Sequence, residues 1–289
     1  MQGVVQEWPQ LPYSLFLLSY SLFLMYSVPQ LAKKYFKYYI SASNSKGHGV
    51  HSPFVFDFIK FVKNDQKKYT CYYEIEKLRN NLLADKSIIE VADFGAGSAV
   101  ISTNKRAIYK MAQSSLKPKR FAQLLFRIVQ HYRPKTIVEF GTSFGITSSY
   151  LAFGYPDAKL YTLEGAHSIA SIARMNFMHL GLHNVELLEG DFAKTLPRLF
   201  STIHKVDLAF VDGNHRRKPT LDYFHQLLQY STPSTILIFD DIHWSKEMEE
   251  AWEQIKQHES VTLSIDLFFI GIIFLRKEFK QKQHFSIRF

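Results

Sequence analysis

The stretch "TIVEFGTSFGIT" (residues 136–147) sets a short apolar run, an acidic residue and two glycines in direct succession. The run has the length of a strand, the glycines permit a tight turn, and "ITSSYLA" continues as a helix. A glycine turn that opens a helix lets backbone N–H groups face a negatively charged ligand. A second stretch, "VADFGAGSAV" (91–100), has a similar composition. The rest of the chain must decide which of the two binds a ligand.

The alternation of an apolar run with a helical pattern occurs five times in series. The runs are "TIVEF" (136–140), "KLYTL" (159–163), "VELL" (185–188), "VDLAFV" (206–211) and "TILIF" (235–239). Such a series predicts a parallel sheet with helices on both faces. Two final runs, "TLSIDLFF" (262–269) and "GIIFL" (271–275), have no helix between them and predict an antiparallel hairpin at the sheet edge. The expected fold is α/β, doubly wound and mostly parallel, with seven strands.

The chain divides into three regions by composition. Residues 116–289 carry the sheet and begin with a helical stripe over 116–132, whereas residues 30–115 read as a mostly helical extension. Residues 1–29 are apolar. Within them, residues 11–28 hold no charge, and lysines follow at 33, 34 and 37. This predicts either a membrane anchor with a cytoplasmic basic flank or a translation start at Met25.

The net charge of +9 suits an acidic substrate, nucleic acid or a membrane surface, and a mere gain in solubility is an equal alternative. Cys71 is the single cysteine, which excludes a disulfide within the chain and a cysteine-rich metal site. A reducing compartment, the cytoplasm, is therefore expected.

Acidic residues follow every strand of the predicted parallel sheet. Ligands of doubly wound sheets bind beyond the carboxyl ends of the strands. Glu164 lies about 20 residues after Gly141, where a carboxylate can accept hydrogen bonds from a ribose diol. The other strand-end residues are Glu139, Thr142, Ser143, Gly145, Asp191, Asp212, Asp240 and Asp241.

"VADFGAGSAV" lacks this context, because no second strand ending in an acid follows at the expected distance. The favoured interpretation of residues 93–98 is a turn between helical segments. A role as a lid or as a wall of the acceptor site stays open.

The motifs "TIVEFGTSFGITSSYLA", "LYTLEG", "VELLEGDFAKTLP", "VDLAFVDGNH" and "ILIFDDIHW" resemble, in order and spacing, those of the class I S-adenosylmethionine-dependent methyltransferases. They are most similar to the catechol and caffeoyl-CoA type O-methyltransferases, and the match covers roughly 115–275. This implies a seven-stranded Rossmann-like sheet. "GHGVHSPFVFDFI" (47–59) resembles uncharacterised bacterial methyltransferase-like proteins.

The resemblance implies a role for each motif residue. Glu164 would hold the ribose, and Gly190 with Asp191 would lie at the adenine edge. The metal-dependent members bind magnesium at positions that match Asp212, Asp240 and Asp241. The residues that would surround the methionine part of the cofactor are Glu139, Gly141, Thr142, Ser143, Gly145 and Thr147.

Asp241 departs from the family, which usually has Asn there. A third carboxylate would strengthen a Mg²⁺ site, because converging acids need a hard cation. The alternative is that Asp241 caps the helix from Ser245 or pairs with a basic side chain, without metal.

His215 stands where the family often has a lysine, three residues after Asp212. An unperturbed pKa near 6.5 suits a general base, and a plain loop histidine is the alternative. His243 is a second candidate. His48 and His51 lack a third ligand for a metal site, and "HRRK" (215–218) suits an anionic acceptor.

The predicted function is methyl transfer from S-adenosylmethionine, most simply to a hydroxyl of a small molecule. Alternatives are a tRNA methyltransferase of the same fold and a cofactor-binding protein without turnover. An NAD-dependent oxidoreductase is least favoured, because the loop reads E-x-G-x-x-x-G. Membrane association through residues 11–28 and a homodimer stay open, and the acceptor is not identified.

Overall fold

A computed structural model describes residues 25–43, 51–93 and 102–289. The strands, in chain order, are β1 (Ile88–Asp93), β2 (Ser102–Ala107), β3 (Thr136–Phe140), β4 (Lys159–Glu164), β5 (Val185–Glu189), β6 (Val206–Val211), β7 (Ser231–Asp240), β8 (Leu263–Asp266), β9 (Ile270–Phe274) and β10 (Gln283–Ser286). The first two form a small antiparallel sheet. The other eight form the main sheet, in the order β10-β8-β9-β7-β6-β3-β4-β5.

The helices lie between these strands and before them. They are α1 (Val28–Ser41), α2 (Pro53–Asp57), a π-helical segment (Phe58–Lys63), α3 (Thr70–Ala84), α4 (Ile108–Ser115), α5 (Lys119–Tyr132), α6 (Ile146–Gly154), α7 (His167–His179), α8 (Phe192–Thr202), α9 (Arg217–Gln229) and α10 (Lys246–Gln257).

The doubly wound topology is confirmed. Strands β3 to β7 pair in parallel, and β9 pairs antiparallel with both β7 and β8, which is the predicted C-terminal hairpin. An eighth strand, β10, was not expected. Its sequence "QHFS" is short and mostly polar, and it joins the edge through backbone bonds, as where Gln283 N–H donates to the carbonyl of Thr262 at 2.9 Å.

Alternate residues of the central strands pack into two separate cores. Ile137 of β3 belongs to the core covered by α5 and α6, whereas Val138 belongs to the core covered by α8, α9 and α10. Successive side chains of a strand point to opposite faces, so a strand buried on both sides must be apolar throughout. Glu139, which is fully buried in the middle of β3, is therefore an exception that needs a local explanation.

The N-terminal region packs against the sheet domain. In α1, the hydroxyl of Tyr38 donates to the backbone carbonyl of Ile287, and the ammonium of Lys34 pairs with Glu249 of α10 at 2.9 Å. Within the described residues, no helix is both long enough and apolar enough to cross a membrane. Residues 11–24 of the predicted anchor lie outside that part of the chain.

The surroundings of "VADFGAGSAV" correct the sequence interpretation. Its first three residues end β1, and the chain returns in the antiparallel strand β2 from Ser102. The segment therefore connects two strands and not two helical segments. The error came from the polar and basic composition of "STNKRA" (102–107), which forms a strand by pairing along its whole length with β1. Residues 94–101 themselves lie outside the described residues.

Strand order reverses between β3 and β6, which are neighbours in the sheet but lead to opposite edges. In doubly wound sheets, ligands bind at the carboxyl ends of two such strands. This point lies between the "EFGTSFG" turn and Asp212.

Candidate active site

The turn after β3 depends on two glycines with positive φ. Gly141 has φ +97°, and a Cβ atom there would lie 2.4 Å from the backbone oxygen of Asp212. Gly145 has φ +81° and is the N-cap of α6. An L-residue adopts such angles only with strain. The glycines therefore bring the backbone of this turn against the end of β6, as expected for a loop that admits a ligand.

Glu139 is buried beneath this turn. Its Oε2 atom accepts hydrogen bonds from the hydroxyls of Thr162, at 2.6 Å, and of Ser148. Its Oε1 atom has no hydrogen-bond partner among the residues that the structure describes. Burial raises the pKa of Glu139 to about 8, against the effect of the two hydroxyl donors. A buried carboxyl oxygen without a partner is costly in an isolated protein and suits a site that a ligand completes.

Glu164 ends β4 beside the same turn. Its two oxygens accept the backbone N–H groups of Ser143 at 2.9 Å and of Ala166 at 3.0 Å. Burial raises the pKa of Glu164, and these backbone donors oppose the rise. Backbone hydrogen bonds also join the turn to β4. The N–H groups of Gly141 and Thr142 both donate to the carbonyl of Leu163 at 3.0 Å.

The remaining residues predicted around the cofactor occupy this edge in different ways. Thr142 is buried and shares a hydroxyl hydrogen bond of 2.6 Å with Thr162, and Thr147 is buried in the first turn of α6. Gly190, with φ +128°, donates its N–H to the carbonyl of Glu164 at 2.9 Å. Asp191 caps α8 by accepting the N–H of Ala193 at 3.0 Å, so its carboxylate has a structural partner.

At the same edge of the sheet, the acids after β6 and β7 converge with His215. Asp212, His215 and Asp240 each place one ligand atom within 4.8 Å of the others. Nε2 of His215 lies 3.5 Å from Asp212 Oδ1, and Nδ1 lies 4.0 Å from Asp241 Oδ2. Asp241 does not cap the helix after it, because the hydroxyl of Ser245 accepts the N–H of Met248 instead.

A cation that the sequence interpretation missed lies within this acidic cluster. The ammonium of Lys117 contacts the carboxylate of Asp240 and lies 3.4 Å from Asp212 Oδ2. Its side chain is only 9% exposed. A signal for this position does exist in the chain. Helix α5 runs antiparallel to β3 and precedes it closely, so the residues just before α5, "KP" at 117–118, must lie at the carboxyl edge of the sheet.

The charges of this cluster shift one another's ionisation. Burial opposes the charge on Lys117, but the surrounding carboxylates of Asp212, Asp240 and Asp241 raise its pKa further above the usual value. Although burial alone would raise it, Lys117 and His215 hold the pKa of Asp212 well below its usual range. Burial and the charge of Asp212 raise the pKa of Asp240, because two carboxylates that face one ammonium ionise one before the other.

His215 is not available as a general base at neutral pH. Burial alone would lower the pKa of His215, but the hydrogen bond and charge of Asp212, together with Asp241, raise it to about 9. At neutral pH the imidazole is therefore protonated and acts as a donor and a positive charge. Its role as a base stays a prediction and would need an alkaline solution.

The other candidate histidines do not join this site. Both ring nitrogens of His243 face carboxylates elsewhere, Nδ1 at 3.0 Å from Glu249 and Nε2 at 2.8 Å from Asp266. His51 is exposed, and His48 lies outside the described residues.

S-adenosylmethionine and a divalent cation fit these residues differently. The glycine turn, the unpartnered oxygen of Glu139 and the carboxylate of Glu164 suit a ligand with an amino group and a ribose diol. A dication between Asp212 and Asp240 would lie where the Lys117 ammonium already pairs with both acids. At a separation of about 3 Å and an effective dielectric constant near 20, repulsion between the two cations is roughly 10 kcal/mol. The described arrangement therefore does not fit a resident dication.

Comparisons with known proteins agree with this fold. Residues 138–242 match the model of a family described as a methyltransferase domain. The comparison with curated proteins gives no match. Among solved structures, a methyltransferase from Podospora anserina with bound SAH has a TM-score of 0.55 at 15% identity, over 78% of this chain and 97% of that one.

Two O-methyltransferases are similar to the same extent. One, from Streptomyces achromogenes, is involved in tomaymycin synthesis and was solved with SAM; its TM-score is 0.51 at 18% identity, over 75% of this chain and 95% of that one. The other, from Bacillus cereus in complex with SAH, has a TM-score of 0.50 at 20% identity, over 74% of this chain and 95% of that one. At these identities the likeness establishes the fold. Residues 138–242 are thus similar to a methyltransferase domain, and the sheet that contains them has the fold of these methyltransferase structures.

Proposed function

We propose that the protein transfers a methyl group from S-adenosylmethionine to an oxygen of a small acceptor. The observation that carries this proposal is the arrangement of two carboxylates around one glycine turn at the switch point of the sheet. Glu139 lies beneath the turn with one unpartnered oxygen, and Glu164 is fastened beside it. No other part of the described chain combines a close backbone approach with buried acceptors at a strand edge.

Each residue then has a distinct part in binding. The carboxylate of Glu164 accepts the ribose hydroxyls, and Glu139 Oε1 accepts from the amino group of the methionine part, directly or through water. Gly141 lets the turn lie against the backbone of Asp212, where a side chain would clash. The cofactor, when bound, supplies an electrophilic methyl group on sulfur. The chain contributes mainly by holding the acceptor oxygen in line with that group.

The acceptor side is formed by the cluster of Lys117, Asp212, His215, Asp240 and Asp241. In the nearby "HRRK" segment, Arg217 pairs with Glu250 at 3.4 Å and Lys218 pairs with Asp222 at 2.6 Å. Acids thus already neutralise part of this basic segment. An anionic acceptor at this segment stays a prediction, and so does a tRNA acceptor.

We also propose a cytoplasmic location. The chain has a single, half-buried cysteine, Cys71, which is free, as is usual in a reducing compartment. Association with a membrane through residues 11–28 and formation of a homodimer remain predictions.

Calorimetric titration with S-adenosylmethionine and with its demethylated product tests the proposal. The wild-type protein should bind both, and Glu164→Ala should weaken binding by about 10- to 100-fold, as expected for lost hydrogen bonds to a charged group. Glu186→Ala is the matched control, since that exposed residue of β5 pairs with Lys159. Because Glu164 also holds backbone N–H groups, Glu164→Gln serves as a second variant of nearly equal size. Wild-type protein that binds neither compound, or that binds NAD instead, would refute the proposal.

Turnover is tested separately with cofactor labelled in the methyl group. Monophenols, catechols, acyl-CoA thioesters and tRNA are offered as acceptors. Transfer to a small hydroxyl compound supports the proposal, and transfer to tRNA alone would replace it with the nucleic-acid alternative. Tight cofactor binding without transfer to any acceptor would indicate a binding protein that lacks turnover.

A further inference from the structure

The acceptor side of the site contains a buried cation that belongs to the chain itself. The Lys117 side chain is 9% exposed, and its ammonium pairs with Asp212, which is 19% exposed, and with Asp240, which is 3% exposed. Its Nζ atom also lies 5.7 Å from the ring centre of Phe210 in β6. Lysine is rarely buried to this degree unless acids neutralise it. Here both acids come from the ends of neighbouring parallel strands, β6 and β7.

The position of Lys117 is determined by elements that cannot shift easily. Pro118 follows it directly and is the N-cap residue of α5. That helix is buried along one face by residues such as Leu124 and Ile128, which are fully inaccessible to solvent. The start of α5 is therefore fixed against the sheet. This fixes the backbone of Lys117, whose side chain extends to Asp212 and Asp240.

We propose that the ammonium of Lys117 is the built-in cation of the acceptor site and takes the place of a divalent metal ion between Asp212 and Asp240. This inference rests on the proposed methyl transfer for its chemical meaning. The structural part of the inference is that an internal lysine pairs with both acids, and the two ion pairs are sufficient evidence for it. An ammonium has three N–H donors, so two carboxylates leave one donor for the oxygen of an acceptor.

A lysine in this position predicts the class of acceptor. A Mg²⁺ ion is six-coordinate and can bind two neighbouring oxygens at once, which favours a vicinal diol. One N–H group of an ammonium reaches a single oxygen. The acceptor of this site therefore needs only one hydroxyl, and a second hydroxyl beside it gives little advantage.

Manganese binding, followed by electron paramagnetic resonance, tests the ion replacement without any turnover. Wild-type protein should leave Mn²⁺ free at about 1 mM, the weak end of oxygen-ligand sites. Lys117→Met removes the charge while it keeps a side chain of similar length, and it should raise Mn²⁺ affinity by at least about tenfold because the competing cation is gone. Lys117→Arg keeps the charge and should bind no better than wild type. Lys119→Met, in the exposed first turn of α5, is the matched control.

The rate of methyl transfer provides a second test of the same inference. Wild-type transfer should be unchanged by a chelator, and a monophenol should be methylated within about threefold of the matching catechol, as expected when only one oxygen is bound. Lys117→Met should lose at least about tenfold in rate with the chelator present and regain part of it with Mn²⁺ or Mg²⁺.

Tight Mn²⁺ binding by the wild-type protein, or a wild-type rate that depends on a divalent ion, would overturn the inference. So would a Lys117→Met protein that folds and has no more affinity for Mn²⁺ than Lys119→Met. If Lys117→Met does not fold, the wild-type and Lys117→Arg measurements still decide. Failure of these tests leaves cofactor binding intact, whereas failure of the proposed function would appear as lost binding of S-adenosylmethionine.

Discussion

Protonated His243 stabilises the protein, and this stabilisation should be lost at alkaline pH. Its ring lies between Glu249 and Asp266, with each nitrogen within 3.0 Å of a carboxylate oxygen. Both nitrogens can donate only when the imidazole is protonated. Burial opposes that charge, but the two carboxylates raise the pKa of His243 to about 9. The same Glu249 also pairs with Lys34 of α1, so this carboxylate is shared by two cations.

The magnitude follows from the shift in pKa. A rise from the usual value of 6.5 to about 9 corresponds to about 3 kcal/mol in the free energy of unfolding. Because the folded-state pKa is raised, this contribution is fully present below about pH 6.5. It is lost as the pH rises through about 9. The side chain of His243 is 20% exposed, so solvent screening removes only part of the effect.

The assay is urea denaturation of the wild-type protein and of His243→Gln at a series of pH values from about 6 to 10. The variant should be less stable by up to about 3 kcal/mol near pH 6, and the difference should shrink steadily above pH 6.5. His215 titrates in the same range but is present in both proteins, so its contribution cancels in the difference. His179→Gln, an exposed position in the last turn of α7, is the control. A difference in unfolding free energy that stays constant from pH 6 to 10 would refute the reasoning.

Three further predictions concern Gly141, Glu139 and Gly271. Gly141→Ala should abolish binding of the demethylated cofactor, measured by calorimetry, because its Cβ would lie 2.4 Å from the backbone oxygen of Asp212. Binding at pH 7 should release a proton, seen as a dependence of the heat on the buffer, since burial raises the pKa of Glu139 to about 8 and a cationic amino group would lower it; Glu139→Gln should remove that dependence. Gly271→Ala should lower the unfolding free energy by about 1–3 kcal/mol in urea denaturation, because its Cβ would lie 2.6 Å from ring atoms of Trp252.

The sheet domain could be predicted closely from local patterns. The run "TIVEF" and strand β3 coincide at Thr136–Phe140, and the helical stripe predicted over 116–132 is α5. Such patterns are reliable because a strand or helix that buries one or two faces must show the period of its side chains. The edge strand β10 and the hairpin of β1 and β2 lack such a pattern. Backbone pairing, which depends little on side-chain type, creates them.

The candidate site was predicted in its parts. Glu139, Gly141, Glu164 and Asp212 follow strands, and parallel strands must end at one edge, so their convergence could be expected from the sequence alone. The hydrogen bonding and protonation of each side chain could not be expected from the sequence. Whether Glu139 has an unpartnered oxygen, or whether His215 is protonated at neutral pH, depends on burial and on neighbours that are distant in the chain.

The amino-acid sequence by itself determined a doubly wound sheet with a glycine turn at "TIVEFGTSFGIT", because periodicity, glycine positions and strand-end acids are local properties. The tertiary structure decided which cation lies among the acids after β6 and β7. Lys117 is 95 residues from Asp212 and 123 from Asp240, and only the packing of α5 against the sheet brings its ammonium between them. The charge of a site is a sum over groups that meet in space, and no pattern along the chain records that sum.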